Sequence, residues 1–340
     1  MKKLFLILIL VFLTSQIEAA NMRSVISGRF RLLTNNSTEF NEYQSINGWL
    51  TTENIQQQVM PVSGCTMNYL RVTLDAAPGA GTTYGFKSRV NTTNGNLTCQ
   101  INGATATSCT DLINSDTLSA GDLLAITKTI DLGTPTARNA NYTAILNCPD
   151  RTDSILGNSN LATVANTTAY TTIQGGGQSW NATETNIYDM VSTAGTITNL
   201  YVNINTAPAL TQNISFTLML NGNSTALTCT ISNTATTCND TSDSIAVVAG
   251  DKVSIRYITS LTATVTAASH WGFLFKPTID GESLVLFGGG TPSATATKYS
   301  GIFERGNYNA TESNVQQLSQ GNHTLKKLYV VLNTDPANGA

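Results

Sequence analysis

The segment Ile214-Ser215-Phe216-Thr217-Leu218-Met219-Leu220 nearly alternates apolar and polar residues, and Asn221-Gly222 follows it. A period of two puts successive side chains on opposite faces of a β-strand. Asn-Gly favours a two-residue hairpin turn, because both central positions need positive φ. Just upstream, Leu200-Tyr201-Val202-Asn203-Ile204 alternates in the same way and runs out into Asn205-Thr206-Ala207-Pro208. Val253-Ser254-Ile255 follows a Gly-Asp turn. Short strands bounded by such turns every 8–12 residues, roughly, read as a sandwich or barrel.

The same blocks recur along the chain. Leu200 to Pro208 matches Leu328 to Pro336 and Leu70 to Pro78. Ser179-Trp180-Asn181-Ala182-Thr183-Glu184 matches Gly48 to Glu53 and Asn307 to Glu312. Tyr43, Tyr170 and Tyr299 are each followed three residues later by Ile46, Ile173 and Ile302. Cys99 and Cys109 correspond to Cys229 and Cys238, and Ala120-Gly121-Asp122 to Ala249-Gly250-Asp251. The period is about 130 residues, the size of a domain and too long for a solenoid unit. The expected fold class is all-β, with tandem antiparallel, jelly-roll-like β-sandwich domains. Repeat 1 is placed at 21–150 and repeat 2 at 151–278. An incomplete repeat 3 at 279–340 stops before its cysteine hairpin, so truncation is expected, with a shortened terminal cap as the alternative. No convincing amphipathic helix follows the leader, and the run Thr259 to Ala268 reads equally as strand or loop.

Ala249-Gly250-Asp251-Lys252-Val253-Ser254-Ile255 resembles the turn and following strand in the globular heads of complement-type collagen-like proteins and their tumour-necrosis-factor-like relatives. His270-Trp271-Gly272-Phe273-Leu274-Phe275 resembles the aromatic-Gly-Phe-Leu last strand of those jelly rolls. The first repeat keeps Gly121-Asp122, but its last strand, Tyr142-Thr143-Ala144-Ile145-Leu146, lacks the glycine. The resemblance implies a jelly roll of two Greek keys and a homotrimer about an apolar axis. With no collagen-like Gly-X-Y segment in the chain, such a trimer needs another nucleator.

The 340 residues carry a net charge of −3, and only 11% are charged, against about 25% in an average domain. That balance argues against a nucleic-acid partner, which selects a basic face. Lys2 and Lys3, the apolar run Leu4 to Leu13 and the small residues around Ala19 and Ala20 read as a signal peptide at 1–20. A retained anchor is the rival, but the run is shorter than the roughly 20 residues a span needs. The mature chain is thus expected to be exported, with no membrane-spanning segment.

Six cysteines in an exported chain permit three disulfides. A two-residue loop at Asn233-Thr234 places Cys229 opposite Cys238 as a non-hydrogen-bonded cross-strand pair, with Cα atoms about 4.5 Å apart. Cys99–Cys109 follows with a longer turn. Cys65 and Cys148 have counterparts near Thr196 and Lys276; being absent together, they read as a pair joining an early strand to the last one. Zinc needs tight Cys spacing or nearby histidines, and His270 and His323 fall in different repeats.

Catalytic groups and cofactors are not expected. His270 replaces Asn141 of the first repeat and reads as structural, and Glu53, Glu184 and Glu312 read as side chains bonding a backbone or a neighbouring repeat. Asp111, Asn114, Asp240 and Asp243 form oxygen-rich loops that calcium could use, although Asp and Asn are also ordinary turn residues. Trp49, Trp180 and Tyr308 recur at one place, either as core or as an exposed platform for a glycan or cell-surface ligand. Twelve Asn-x-Ser/Thr sequons modestly exceed chance. The function expected is a secreted or cell-surface structural or adhesive role without catalysis. The alternatives are a virion tail or spike component, and a secreted carbohydrate-binding module or carbohydrate-active enzyme.

Overall fold

Alternation along each strand is matched by alternation of burial. In β6 (Thr93–Asn102) Leu97, Cys99 and Ile101 point inward, and in β15 (Asn223–Ser232) Leu227, Cys229 and Ile231 do the same. These strands belong to two sandwiches in a computed structural model. It describes residues 22–35, 37–44, 47–159, 167–175, 177, 179–260, 268–286, 293, 295–302, 308–319 and 322–332. The signal peptide expected at 1–20, Ile46 and the sequons at Asn36 and Asn166 lie outside the described residues, as does the middle of the run Thr259 to Ala268.

In the first sandwich, β1 (Met22–Leu33), β9 (Arg138–Cys148), β4 (Cys65–Leu74) and β7 (Ser108–Leu118) form one sheet in that spatial order. The facing sheet runs β2 (Glu39–Asn41), β8 (Leu123–Leu132), β5 (Thr83–Val90), β6, with β3 (Gln58–Val59) added beside β8. Thus β1 pairs with β9, β2 with β8, β4 with β7 and β5 with β6, all antiparallel. The first half of the repeat pairs with the second half in reverse, like one long hairpin rolled onto itself. This is jelly-roll topology.

The second sandwich repeats it. One sheet runs β10 (Asp153–Ser159), β18 (Ser269–Pro277), β13 (Gly195–Ile204), β16 (Thr237–Val247). The other runs β11 (Thr168–Thr171), β17 (Lys252–Thr259), β14 (Asn213–Leu220), β15, with β12 (Asp189–Met190) beside β17. The cores are apolar: Tyr84, Phe86 and Tyr142 lie in the first, and Phe216, Tyr257, Trp271, Phe273 and Phe275 in the second.

The recurring turns have a common construction. Asn221 and Gly222 join β14 to β15 with φ of 51° and 82°. The Asn221 amide bonds the Lys252 N–H and the Asp251 carboxylate at 2.9 and 2.8 Å, locking the hairpin tip to the Ala-Gly-Asp turn. Asn91 holds Leu123 and Asp122 identically. In the first repeat, however, the glycine is replaced by Thr92, at φ 65°. Relief of about 1–2 kcal/mol of left-handed strain, less about 0.5–1 for glycine's extra freedom when unfolded, makes Thr92→Gly stabilising by about 0.5–1 kcal/mol. Urea unfolding checks this, and an unchanged midpoint counts against it.

Two sequence expectations need correction. The Tyr-x-x-Ile equivalence slips in the first repeat. The backbone bridges Tyr170–Asn181 and Tyr299–Asn309 are matched by Phe40–Leu50, so Phe40 rather than Tyr43 is the counterpart. The hairpin cysteines form the expected pairs, but not within one ladder. Cys99 lies on β6 and Cys109 on β7, Cys229 on β15 and Cys238 on β16; each pair joins the two sheets at the sandwich edge, with Cα atoms 5.6 and 5.7 Å apart. After its turn the chain crosses to the other sheet, because β16 pairs with β13 and leaves β15 to β14. Cys65–Cys148 is the in-sheet bridge, between neighbouring β4 and β9, with Cα atoms 4.1 Å apart. Its counterparts in the second repeat are Gly195 and Pro277, which face each other across β13 and β18.

Candidate functional site: the junction between repeats

The sequence-derived site residues are mostly engaged in holding the fold. Asp111 accepts the N–H groups of Ile113, Asn114 and Thr98 and the Asn114 amide, at 2.9–3.1 Å. Asp240 accepts the N–H groups of Ser242, Asp243 and Thr228 and the Ser242 hydroxyl. Each carboxylate therefore caps a bulge in one sheet and ties it to the edge strand of the other, beside the disulfide. Burial pushes both pKa values up, but these hydrogen bonds outweigh it and hold them below the ordinary aspartate value. The Asp111 and Asp240 oxygens are committed to N–H and O–H donors. Among the described residues no group of three His, Cys, Asp or Glu is placed to hold a metal.

Trp49 is buried, edge-on to Tyr142 and Phe86. Trp180 packs on Tyr257, Trp271 and Phe216 at the rim of the second core. Neither ring lies open as a sugar platform; the aromatic recurs because it closes the sandwich end. Tyr308 holds the same place in the third repeat and is half-buried. Glu53 and Glu184 bond side chains of their own repeat. Glu53 takes a bidentate contact from Arg89 at 2.8 and 2.9 Å, and Glu184 accepts the Ser254 hydroxyl at 2.8 Å. Glu312 opens a 3-10 turn, Glu312–Asn314, built like Glu184–Asn186.

The least expected chemistry lies between repeats. The loop after β2 and the turn through β3 in repeat 1 reach the outer face of the β10–β18–β13 sheet in repeat 2. The Leu156 N–H donates to Gln44 Oε1, Gln58 Nε2 to the Leu156 carbonyl, and the Asn158 amide to the carbonyls of Ile55 and Gln57. Asn199, a bulge residue at φ 54°, reaches the Pro61 carbonyl. Gly272 lies under the turn: a Cβ there would stand 2.2 Å from the Val59 carbonyl oxygen. The glycine of the last strand thus lies against a neighbouring repeat. In the first repeat Thr143 holds its place, opposite Arg71 as Gly272 is opposite Tyr201.

The second junction repeats the glutamine contact of the first. Gln174 Oε1 accepts the Leu286 N–H at 2.6 Å, as Gln44 accepts that of Leu156. Ser24 donates to Asp153, and Ser283 donates to the other oxygen of the same carboxylate. Lys327, also left-handed at φ 60°, bonds Thr193 and Glu282 where Asn199 meets Pro61. The repeat spacing of Gln44 and Gln174 was visible in the sequence, but a glutamine pair has no signature that separates a junction from a surface.

His270 is fully buried at the first junction, its Nε2 3.0 Å from the Asn54 carbonyl. Burial pushes its pKa down to about 4. The folded state therefore binds this proton less readily than the unfolded chain, whose histidine titrates near 6.5. Its contribution is complete above about pH 6.5 and is lost progressively toward pH 4, amounting to roughly 3 kcal/mol. His270→Asn, the residue type of the first repeat, is expected to flatten stability of repeat 2 between those pH values. A variant with the parent slope refutes the assignment.

Three disulfides fit an oxidising compartment, and among the described residues no helix is long and apolar enough to cross a membrane. No family model matches the chain, and no curated protein does. Similar solved structures include the infectious bursal disease virus VP2 subviral particle, at 9% identity over 77% of this chain and 72% of that one, with a TM-score of 0.21. The structure of the infectious bursal disease virus Gx strain is similar at 10% identity over 77% and 74%, also with a TM-score of 0.21. Likenesses of that size carry no argument about what this chain does.

Proposed function

We propose that this chain is an exported repeat protein with a structural, non-catalytic role at a cell surface or in the extracellular space, its jelly rolls stacked as a stiff spacer. The observation that carries the reading is a junction made twice in one register, Gln44 on the Leu156 N–H and Gln174 on the Leu286 N–H. Only the 3-10 turn Pro149–Arg151 and Thr152 separate β9 from β10, so the repeats are coupled by packing and not by a long flexible linker. The scarcity of free acid–base groups supports the absence of catalysis, since the recurring carboxylates are tied into turns, bulges and ion pairs. The likeness to complement-type heads adds a homotrimer to the proposal, with any glycan or cell-surface ligand carried by the assembly.

Fractionation of source cells with an antibody to the chain tests the role. Retention in the washed surface fraction, without turnover of a polysaccharide panel, is expected. Polysaccharide hydrolysis by the pure chain overturns the non-catalytic reading, and recovery in purified virions overturns the surface one. Small-angle scattering tests the spacer: a fixed repeat-to-repeat orientation is expected, loosened by Gly272→Leu. Light scattering under native conditions measures the trimer.

A further inference from the structure

A sequon recurs at one place in two repeats. Asn181-Ala182-Thr183 follows Trp180, and Asn309-Ala310-Thr311 follows Tyr308. Each asparagine is fixed by a two-way backbone bridge, to Tyr170 or to Tyr299, at 2.8 and 2.9 Å. In both, the Asn Oδ1 accepts the N–H two residues on, that of Thr183 or Thr311, at 2.8 Å. Such a turn holds the oxygen against the backbone and leaves Nδ2 pointing away from it. Neither Nδ2 donates to a described residue, and neither is a buried atom. Ala182, Thr183, Ala310 and Thr311 are exposed. Thr183 and Thr311 stand before the 3-10 turns Glu184–Asn186 and Glu312–Asn314, yet neither hydroxyl caps its turn. Other sequons are tied into the fold. Asn91, Asn96 and Asn223 donate Nδ2 to Asp122, the Ser115 carbonyl and the Asn221 carbonyl at 2.7, 2.9 and 3.2 Å. The first repeat has Leu50 at the recurring place, bridged to Phe40, and so lacks the acceptor.

We infer that Asn181 and Asn309 are acceptor sites for N-linked oligosaccharide, one on the second repeat and one on the third. The inference rests on the export proposed above, since the transfer takes place in a secretory compartment. Asn-x-Ser/Thr is the acceptor signature, and a modified asparagine must stand on the surface. The donor is an oligosaccharide carried on a lipid pyrophosphate. Nδ2 forms a bond to C1 of its first sugar and gives up one proton to a base of the transferase. The bond from C1 to the pyrophosphate oxygen breaks, and its electron pair leaves with the lipid pyrophosphate. At Asn181 and Asn309 the glycan displaces no hydrogen bond of the fold. At Asn91 it would displace the bond to Asp122 that locks the hairpin tip. Both glycans then stand beside the aromatic, Trp180 or Tyr308, that recurs at the sandwich end.

The full chain, leader included, is translated in the presence of microsomes that carry the transferase and its lipid-linked donor. Protease protection reads import. Enzymatic deglycosylation in heavy-oxygen water then turns each occupied asparagine into labelled aspartate, which peptide mapping locates. Label at Asn181 and Asn309 of the protected chain, and none at Asn91, is expected. Thr183→Ala should remove the label from Asn181 alone, and Thr183→Ser should keep it. Neither variant should move the unfolding of the second repeat, because the hydroxyl caps nothing there. A protected chain without label at Asn181 and Asn309 overturns the inference and leaves export standing. Label at Asn181 that survives Thr183→Ala overturns the sequon as its cause. Label at Asn91 overturns the selection of sites by the fold. A chain left open to protease overturns the export reading and this inference with it.

Discussion

Replacing Cys65 and Cys148 together with alanine is expected to destabilise the first repeat by about 4–5 kcal/mol, a large share of the roughly 5–15 kcal/mol that holds a domain folded. The bridge closes a loop spanning 83 residues, and the chain entropy it removes from the unfolded state grows with loop length. The bridges at Cys99–Cys109 and Cys229–Cys238 close spans of 10 and 9 residues, for which the same relation gives about 3 kcal/mol. The second repeat has Gly195 and Pro277 in place of the long-range bridge, yet forms the same sheet. Its last strand brings Trp271, Phe273 and Phe275 into the core where the first has Tyr142, Ala144 and Leu146. The last strand of the second repeat thus buries the larger apolar side chains. Guanidinium unfolding of the double variant, against one lacking Cys99 and Cys109, measures the difference. Equal losses would show that loop length does not set the contribution.

Breaking the buried pair Lys128–Glu39 is the second large effect. Lys128 is fully buried on β8, with Nζ 2.8 Å from Glu39, 2.9 Å from the Thr34 carbonyl and 2.6 Å from the Ser37 carbonyl. Burial lowers the lysine pKa, and the Glu39 carboxylate opposes that shift. Glu39→Ala leaves an uncompensated buried cation and is expected to cost about 3–5 kcal/mol. The second repeat has Ala169 paired with Tyr257 at the corresponding positions, where the first pairs Glu39 with Lys128. The double variant Glu39→Ala/Lys128→Tyr should therefore recover most of the loss. A double variant no more stable than Glu39→Ala alone would refute the compensation.

Much of the architecture was legible because it rests on local chemistry. Strand alternation, the Asn221-Gly222 turn and the Ala-Gly-Asp turns declare themselves within a few residues. A repeat of about 130 residues shows through any single substitution because many positions carry it. The cysteine partners were legible too, from spacing and from the joint absence of one pair. Their place in the fold was not: a hairpin within one sheet and a corner between two sheets bring the same cysteines together. The oxygen-rich loops stayed open to two readings for a related reason, since an aspartate that caps a bulge and one that binds a cation share the same sequence.

The sequence by itself therefore determined the β class, the tandem period, the turn positions and which cysteines meet. Only the tertiary structure decided that the staples of the hairpins join opposite sheets, that Lys128 and Glu39 share a core, and that His270 and Gly272 face another repeat. The physical reason is distance along the chain. Alternation and turn chemistry act between neighbours, whereas the Val59 carbonyl above Gly272 and the Asn54 carbonyl beside His270 come from more than 200 residues away. No local pattern encodes a contact whose other half is specified in a different domain.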